Sequence, residues 1–156
     1  NRLVAKRLCD HLRILCASPD YLARHGTPLQ PEQLAGHNCL GFSGLRSFPE
    51  WRLTRQAQQV SVKVGGSLRS NDNEALLEAA RRGVGILAGG DWLMGDDLAS
   101  GRLVRVLPQW QLDVAAGIYL VRPTARLNTA AMGVFRAWVD ERFSTGAPWR
   151  HQGERI

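Results

Sequence analysis

The chain has 156 residues and a mass of 17.3 kDa; 44% of its residues are apolar, 22% are charged, and its formal net charge is +6. This length allows one ordinary domain or two small lobes, and the composition argues against disorder. No stretch approaches the roughly 18 consecutive apolar residues of a membrane span, and the early basic pair Lys6-Arg7 does not fit a signal peptide. We therefore expect a soluble, cytoplasmic protein without a membrane partner.

The first forty residues alternate short strands with short helices. Ser18 is the predicted N-cap of a two-turn helix that has Pro19 at its first position and ends at Gly26. The other elements predicted here are two strands joined by a tight connection, a third strand and one helical turn: residues 3–8, 12–17, 38–42 and 31–36.

The next segment, residues 43–50, is rich in Gly, Ser and Pro and predicts a loop or a hinge between two lobes. Alternating apolar residues then predict a hairpin of residues 51–53 and 60–64. Asn71 is the predicted N-cap of a helix that ends at Gly83, with Glu74 completing a capping box. Its predicted buried stripe is Ala75, Leu76, Ala79 and Ala80.

Strands and helices continue to alternate in the second half, which indicates an α/β architecture with crossover connections. Trp51 and Trp138 are expected in the core, and the polar tail from Ser144 onward is expected to fray. The predicted elements are strands over residues 84–88, 102–107 and 115–121 and helices over residues 91–99 and 129–143.

Residues that carry covalent or metal chemistry are scarce. The run Gly83-Val84-Gly85-Ile86-Leu87-Ala88 matches GxGxx(G/A), but it follows a helix and enters a strand, the reverse of a dinucleotide site. No nucleophile elbow, triad or HxxxH pair is present, so the sequence predicts no enzyme, no cofactor and no metal site. Three cysteines without a CxxC pair favour reduced thiols, namely Cys9, Cys16 and Cys39.

One cluster is left as a candidate binding site. Residues Ser70, Asn71, Asp72 and Asn73 lie where a predicted strand passes into a helix, which is the place where α/β sheets present backbone amides to ligands. Helix capping explains the same residues, so the residue types alone leave both interpretations open. The basic residues are spread along the chain, which does not favour a nucleic-acid surface but is compatible with an anionic ligand.

Taken in order, these segments resemble the effector-binding domain of LysR-type transcriptional regulators over about residues 2–143. The stretches that carry the resemblance are residues 3–8, 17–26, 31–40, 51–53, 70–72, 83–86 and 101–108, and the closing amphipathic helix.

The resemblance implies a periplasmic-binding-protein-like fold of two α/β lobes around a cleft, with the first lobe incomplete in this chain. It assigns residues 1–44 to the end of lobe one and the crossover, and residues 45–125 to lobe two. Residues 126–143 would be a C-terminal helix that packs back towards lobe one, and residues 144–156 a flexible tail.

The resemblance also implies the function. A small anionic metabolite would bind at Ser70, Asn71, Asp72, Phe42 and Ser43, with Asp72 more suited to capping its own helix than to facing an anion. The domain would form a homo-oligomer, a dimer or tetramer, and would reach DNA only through a separate N-terminal winged helix-turn-helix domain. The alternative is a solute-binding receptor of the same fold, which would be secreted.

Overall fold

The structure is a computed structural model that describes residues 3–44, 48–112, 116–124 and 129–150. The chain divides into two compact units, a central unit, Leu12–Val114, and a terminal unit, Asn1–His11 with Ala115–Ile156. The strands are β1 (Leu3–His11), β2 (Arg13–Ala17), β3 (Cys39–Phe42), β4 (Glu50–Arg55), β5 (Gln58–Lys63), β6 (Arg69–Ser70), β7 (Ile86–Gly90), β8 (Val104–Val106), β9 (Gln111–Leu112) and β10 (Ala116–Pro123). The helices are α1 (Pro19–His25), a 3₁₀ helix (Pro31–Gly36), α2 (Asn73–Arg81), α3 (Asp91–Ala99) and α4 (Ala130–Arg142).

The central unit is built on a five-stranded mixed sheet with the order β6-β3-β7-β2-β8. Strand β3 runs parallel to β6 and β7, while β2 is antiparallel to both β7 and β8. The carboxyl ends of β3, β6, β7 and β8 therefore lie along one edge of this sheet. A second, antiparallel sheet has the order β5-β4-β9 and contains the predicted hairpin.

Two apolar clusters cover the two faces of the five-stranded sheet, because successive strand residues point to opposite sides. In β2, Leu15 and Ala17 face a cluster that includes Trp51 and Leu53 of the second sheet. Ile14 and Cys16 face the other cluster, to which α2 and α3 contribute Leu76, Leu77, Ala80 and Met94. We call these sides the hairpin face and the helix face.

The terminal unit pairs β1 with β10 in antiparallel register, from Leu3 opposite Pro123 to His11 opposite Ala116. Helix α4 begins after Thr129, whose side chain accepts a hydrogen bond from the Met132 amide. Only Val139 of α4 is buried among the described residues, and Trp138 is 58% exposed. The expectation that Trp138 lies in the core is therefore wrong. The same expectation for Trp51 is confirmed, because Trp51 is only 2% exposed.

Local sequence signals predicted most elements well. Ser18 caps α1 by accepting from the Tyr21 amide, and the 3₁₀ helix and α3 have the predicted bounds. The first two strands are an exception, since β1 extends through the supposed connection and pairs with β10, while β2 joins the central sheet.

The predicted start and buried stripe of α2 are wrong in part. Its N-cap is Asp72, one residue after the predicted Asn71, and the buried residues are Leu76, Leu77 and Ala80, while Ala75 is exposed.

The borders of the compact units fall at residues 11–12 and 114–115, not at the predicted lobe boundary between residues 44 and 45. Strands β2 and β3 lie before that boundary, yet they pair with β6, β7 and β8 beyond it. The assignment of chain segments to lobes of a larger protein stays a prediction, as does the packing of the C-terminal helix towards lobe one. Of the predicted flexible tail, residues 151–156 lie outside the described residues.

Candidate functional site

The predicted binding residues come together at the carboxyl edge of β3 and β6. Phe42 pairs with Ser70 in the parallel ladder, and the Ser43 amide donates to the Ser70 carbonyl oxygen at 2.9 Å. Asn71 and Asp72 follow directly on the way into α2. Backbone pairing thus places all five predicted residues at one sheet edge, although Phe42 and Ser70 are far apart in sequence.

Hydrogen-bond donors remain at this edge. The Ser70 hydroxyl oxygen accepts from the Asp72 amide at 3.0 Å, which leaves its O–H available to donate. Ser43 and Asn71 are exposed, and each adds a polar side chain. These neutral donors suit a carboxylate or another polar group of a small molecule.

Asp72 acts as a helix cap. Its Oδ1 atom accepts from the Glu74 amide at 2.9 Å and the Ala75 amide at 3.3 Å. The expectation that Asp72 caps its own helix is confirmed, and these two amides are therefore not available to an anion. Its carboxylate also places negative charge at the start of α2, which disfavours an anion there.

Phe42 supports the edge from the helix face. Its half-buried ring packs against the cluster that contains Leu40 and Leu87. A Cβ atom at Gly44 would lie 2.5 Å from the Phe42 ring, so the glycine lets the chain turn closely over it. Phe42 shapes the turn after β3 and offers little exposed surface.

Sequence reasoning missed a second group at the same edge, on the hairpin face. Phe48 lies over Gly41, where a Cβ atom would come within 2.6 Å of its ring, and the Arg69 guanidinium lies 5.2 Å from the centre of that ring. Trp92 lies over Gly90, where a Cβ atom would be 2.2 Å from the indole nitrogen. The available signal was the pair of strand glycines, since a glycine in a strand marks a close approach.

The glycines of the GxGxx(G/A) run have structural roles. Gly83 has φ +72 after α2, and a Cβ atom at Gly85 would lie 2.2 Å from the Asn38 carbonyl oxygen. Ile86 then donates its amide to that same oxygen at 2.8 Å. The run ends a helix and lets a strand approach β3 closely.

The described residues offer little for other chemistry. Burial raises the pKa of the Cys39 thiol to about 12, so it is not a thiolate near neutral pH. Within the described parts of the chain, no three His, Cys, Asp or Glu side chains are grouped as a metal ion would need. No helix there is both long and apolar enough to cross a membrane.

Comparison of the sequence with known families matches residues 1–144 to the LysR substrate binding domain. The HTH-type transcriptional regulator PtxR of Pseudomonas aeruginosa is 36% identical over 133 residues, 85% of this chain and 42% of PtxR. The HTH-type transcriptional regulator CrgA of Neisseria meningitidis is 37% identical over 111 residues, 71% of this chain and 37% of CrgA. The chain thus spans about two fifths of the length of these curated relatives.

Solved structures agree with the sequence matches. The regulatory domain of CrgA, a LysR-type transcriptional regulator from Neisseria meningitidis, has a TM-score of 0.79 and 32% identity, covering 90% of this chain and 69% of that domain. The full-length Vibrio cholerae virulence activator AphB has a TM-score of 0.78 and 26% identity, covering 92% of this chain and 49% of AphB. The predicted α/β, periplasmic-binding-protein-like fold is confirmed.

Proposed function

The chain belongs to the LysR substrate-binding domain family, and on that premise we propose that it is the effector-sensing and oligomerisation domain of a LysR-type transcriptional regulator. In the longer protein it binds a small anionic metabolite and modulates DNA binding by a separate winged helix-turn-helix domain. The observation that carries this proposal is the family match over residues 1–144, with curated relatives that are HTH-type transcriptional regulators.

We propose that the effector binds at the edge formed by β3 and β6. Ser70, Asn71 and Ser43 donate hydrogen bonds to the ligand, while Phe42 and Asp72 hold the turn and the helix start in place. Hydrogen bonds from these neutral donors are strengthened when the ligand group that accepts them is a carboxylate.

Strand pairing supports a revised assignment of chain segments to lobes. We propose that Leu12–Val114 is lobe two of the periplasmic-binding-protein-like fold, in place of residues 45–125. The support is that β2 and β3 belong to the same sheet as β6, β7 and β8. A ligand that prefers one arrangement of the lobes in the longer protein shifts the population towards it, and this is how binding would reach the DNA-binding domain.

The partners follow from the same proposal. The regulator acts in the cytoplasm as a homo-oligomer, a dimer or tetramer, and contacts DNA through its other domain, with no catalytic step and no cofactor. A solute-binding receptor of the same fold is less favoured because the curated relatives are transcriptional regulators.

A thermal-shift screen tests this function on the natural full-length chain that contains these residues. The panel consists of small carboxylates, amino acids and aromatic acids, and a ligand of the folded state raises the melting temperature by mass action. We expect Ser70→Ala or Asn71→Ala to weaken the binding of such a ligand about 10- to 100-fold, as expected for the loss of a hydrogen bond to a charged group.

Ser61→Ala is the matched control, since Ser61 is exposed on β5 and away from this edge. A ligand whose affinity is the same in Ser70→Ala, Asn71→Ala and Ser61→Ala binds elsewhere and contradicts the proposed site. A panel that leaves the melting temperature unchanged throughout contradicts the sensing role.

A further inference from the structure

Two aromatic rings occupy the space above two strand glycines on the hairpin face of the central sheet. Phe48 covers Gly41 in β3, and Trp92 covers Gly90 at the end of β7. A side chain at either glycine would collide with the ring above it, since the Cβ contacts would be 2.6 and 2.2 Å. We call Phe48 and Trp92, with the two glycines beneath them, the aromatic face.

Strand register relates the two glycines that lie beneath these rings. The parallel ladder of β3 and β7 ends at the pair of Leu40 with Leu87, so Gly41 lies one residue and Gly90 three residues beyond that pair on neighbouring strands. Gly41 and Gly90 are thus one strand and two residues apart on the same side of the sheet, about 8 Å at ordinary strand spacing and rise. Ser43, a residue of the proposed effector site, follows two residues after Gly41, and its amide donates to the Ser70 carbonyl oxygen at 2.9 Å.

A cation lies beside this face. Arg69 pairs with Gly41 in the ladder of β3 and β6, and its guanidinium lies 5.2 Å from the Phe48 ring. Arg69 is exposed, and among the described residues no carboxylate lies within ion-pairing distance of it. An exposed guanidinium without an ion-pair partner can bind a ligand carboxylate through two parallel hydrogen bonds.

Trp92 provides accessible aromatic surface at the same edge. Its side chain is 43% exposed, although most large apolar residues of the central sheet are buried. Aromatic rings associate edge-on or offset at centroid separations of about 4.5–7 Å, so a planar aromatic ligand can add a favourable contact to such a ring. An aliphatic ring of the same size lacks the quadrupole that favours such contacts.

We propose that the effector is an aromatic carboxylate whose ring contacts Trp92 and Phe48 and whose carboxylate binds Arg69 and Ser43. This inference rests on the proposed function and extends the same site along the sheet edge from β6 to β7. It names the ligand class, and it gives Trp92 the role of a specificity-determining residue.

The test compares benzoate with cyclohexanecarboxylate, which have the same charge and ring size but differ in aromaticity. Titration calorimetry on the natural full-length chain should give benzoate the tighter binding by roughly 2- to 12-fold, the range expected for an aromatic contact. Trp92→Leu should reduce that ratio to about one. Arg69→Gln should weaken both acids about tenfold or more and leave the ratio unchanged.

Trp138→Leu is the control, because it makes the same chemical change at an exposed tryptophan of the terminal unit. It should keep the wild-type ratio, and each variant's melting temperature establishes that it is folded. A ratio near one in the wild type, or a ratio that survives in Trp92→Leu, overturns the inference.

These outcomes are distinct from a failure of the proposed function. If both acids bind equally and Ser70→Ala weakens both, the aromatic inference is overturned and the sensing role stands. If neither acid binds but another metabolite binds and Ser70→Ala weakens its binding, the aromatic inference is again overturned and the sensing role stands. If no small molecule binds at all, both proposals are overturned.

Discussion

The Asp97 carboxylate is a buried charge held by two arginines. Its side chain is 1% exposed; Arg81 donates from Nε at 2.9 Å and from Nη2 at 2.8 Å, and Arg102 Nε lies 2.7 Å from Oδ1. Burial raises the pKa of Asp97, but the hydrogen bonds and attraction of Arg81 and Arg102 outweigh burial and hold it below its ordinary value. The triad ties α2 to α3 and to the residues that follow α3.

Asp97→Asn should therefore destabilise the protein. Removing one partner of a buried pair typically costs about 3–5 kcal/mol, and we expect about 2–3 kcal/mol here because both arginines can reach water. Urea unfolding at pH 7 measures this change, with Glu32→Gln at an exposed position of the 3₁₀ helix expected to cost less than about 0.5 kcal/mol. Equal effects of the two substitutions would falsify the structural role of Asp97.

Tyr21 and His37 form a partly buried polar contact, and this contact depends on pH. The Tyr21 hydroxyl accepts from the Asn38 amide at 3.0 Å and lies 3.0 Å from His37 Nδ1. The hydroxyl can then donate only to a neutral His37 whose Nδ1 carries no proton. Burial and the nearby His25 hold the pKa of His37 below its ordinary value.

The free energy of unfolding should consequently decrease as the pH falls from 7 to 5. A folded pKa below the ordinary value of about 6.5 means that the unfolded chain binds the proton first, so stability is present above that pH and is lost below it. His37→Gln should remove most of this slope in urea unfolding at several pH values. His25→Gln should retain most of it, because His25 stacks on Tyr21 without accepting its proton. A full slope in His37→Gln contradicts this account.

At the scale of the elements, the residue that caps α2 is different from its neighbour that is proposed to bind the ligand. Asp72 satisfies two amides of the helix, whereas Asn71 lies before the cap. Asp72→Ala should cost about 1 kcal/mol of stability, as loss of an N-cap usually does, and Asn71→Ala should cost less than about 0.5 kcal/mol. Urea unfolding without ligand measures both. A larger loss in Asn71→Ala would mean that Asn71 caps the helix after all.

The same element illustrates what local sequence can predict. Ser18, Pro19 and Gly26 act within a few residues of one another, and so do the residues that bound α3, which is why α1 and α3 were predicted well. At α2, four consecutive polar residues can each cap, and only the backbone geometry selects Asp72. The two-residue strands β6 and β9 carry too few side chains to produce a periodic signal.

At the scale of the whole molecule, strand pairing determines which distant residues come together, and local sequence patterns do not predict this. The parallel contact between Phe42 and Ser70 brings the predicted site residues together, and the resemblance to a family, rather than any local pattern, suggested that grouping. The grouping of Phe48, Arg69 and Trp92 at one sheet edge depends on the order β6-β3-β7, which no local sequence pattern predicts. Helical spacing predicts a core position for Trp138, but spacing does not reveal what covers a helix face, and Trp138 is 58% exposed.

The two compact units should differ in local stability. All five residues of β7 are buried in the central unit, and α2 buries Leu76, Leu77 and Ala80, whereas α4 of the terminal unit buries Val139 alone among its residues. Local opening is easier where few apolar contacts must be broken. In a chain of these 156 residues, the α4 amides should exchange with solvent at least tenfold faster than those of α2.

Hydrogen exchange followed by mass spectrometry measures this difference at pH 7. The comparison of one helix with another removes the effect of secondary-structure type, and β7 supplies the reference for the most protected amides. Protection of α4 equal to that of α2 would contradict the expected weakness of the terminal unit. It would mean that α4 is held by contacts beyond its one buried side chain and the ion pair of Lys6 Nζ with Asp140 Oδ1 at 2.7 Å.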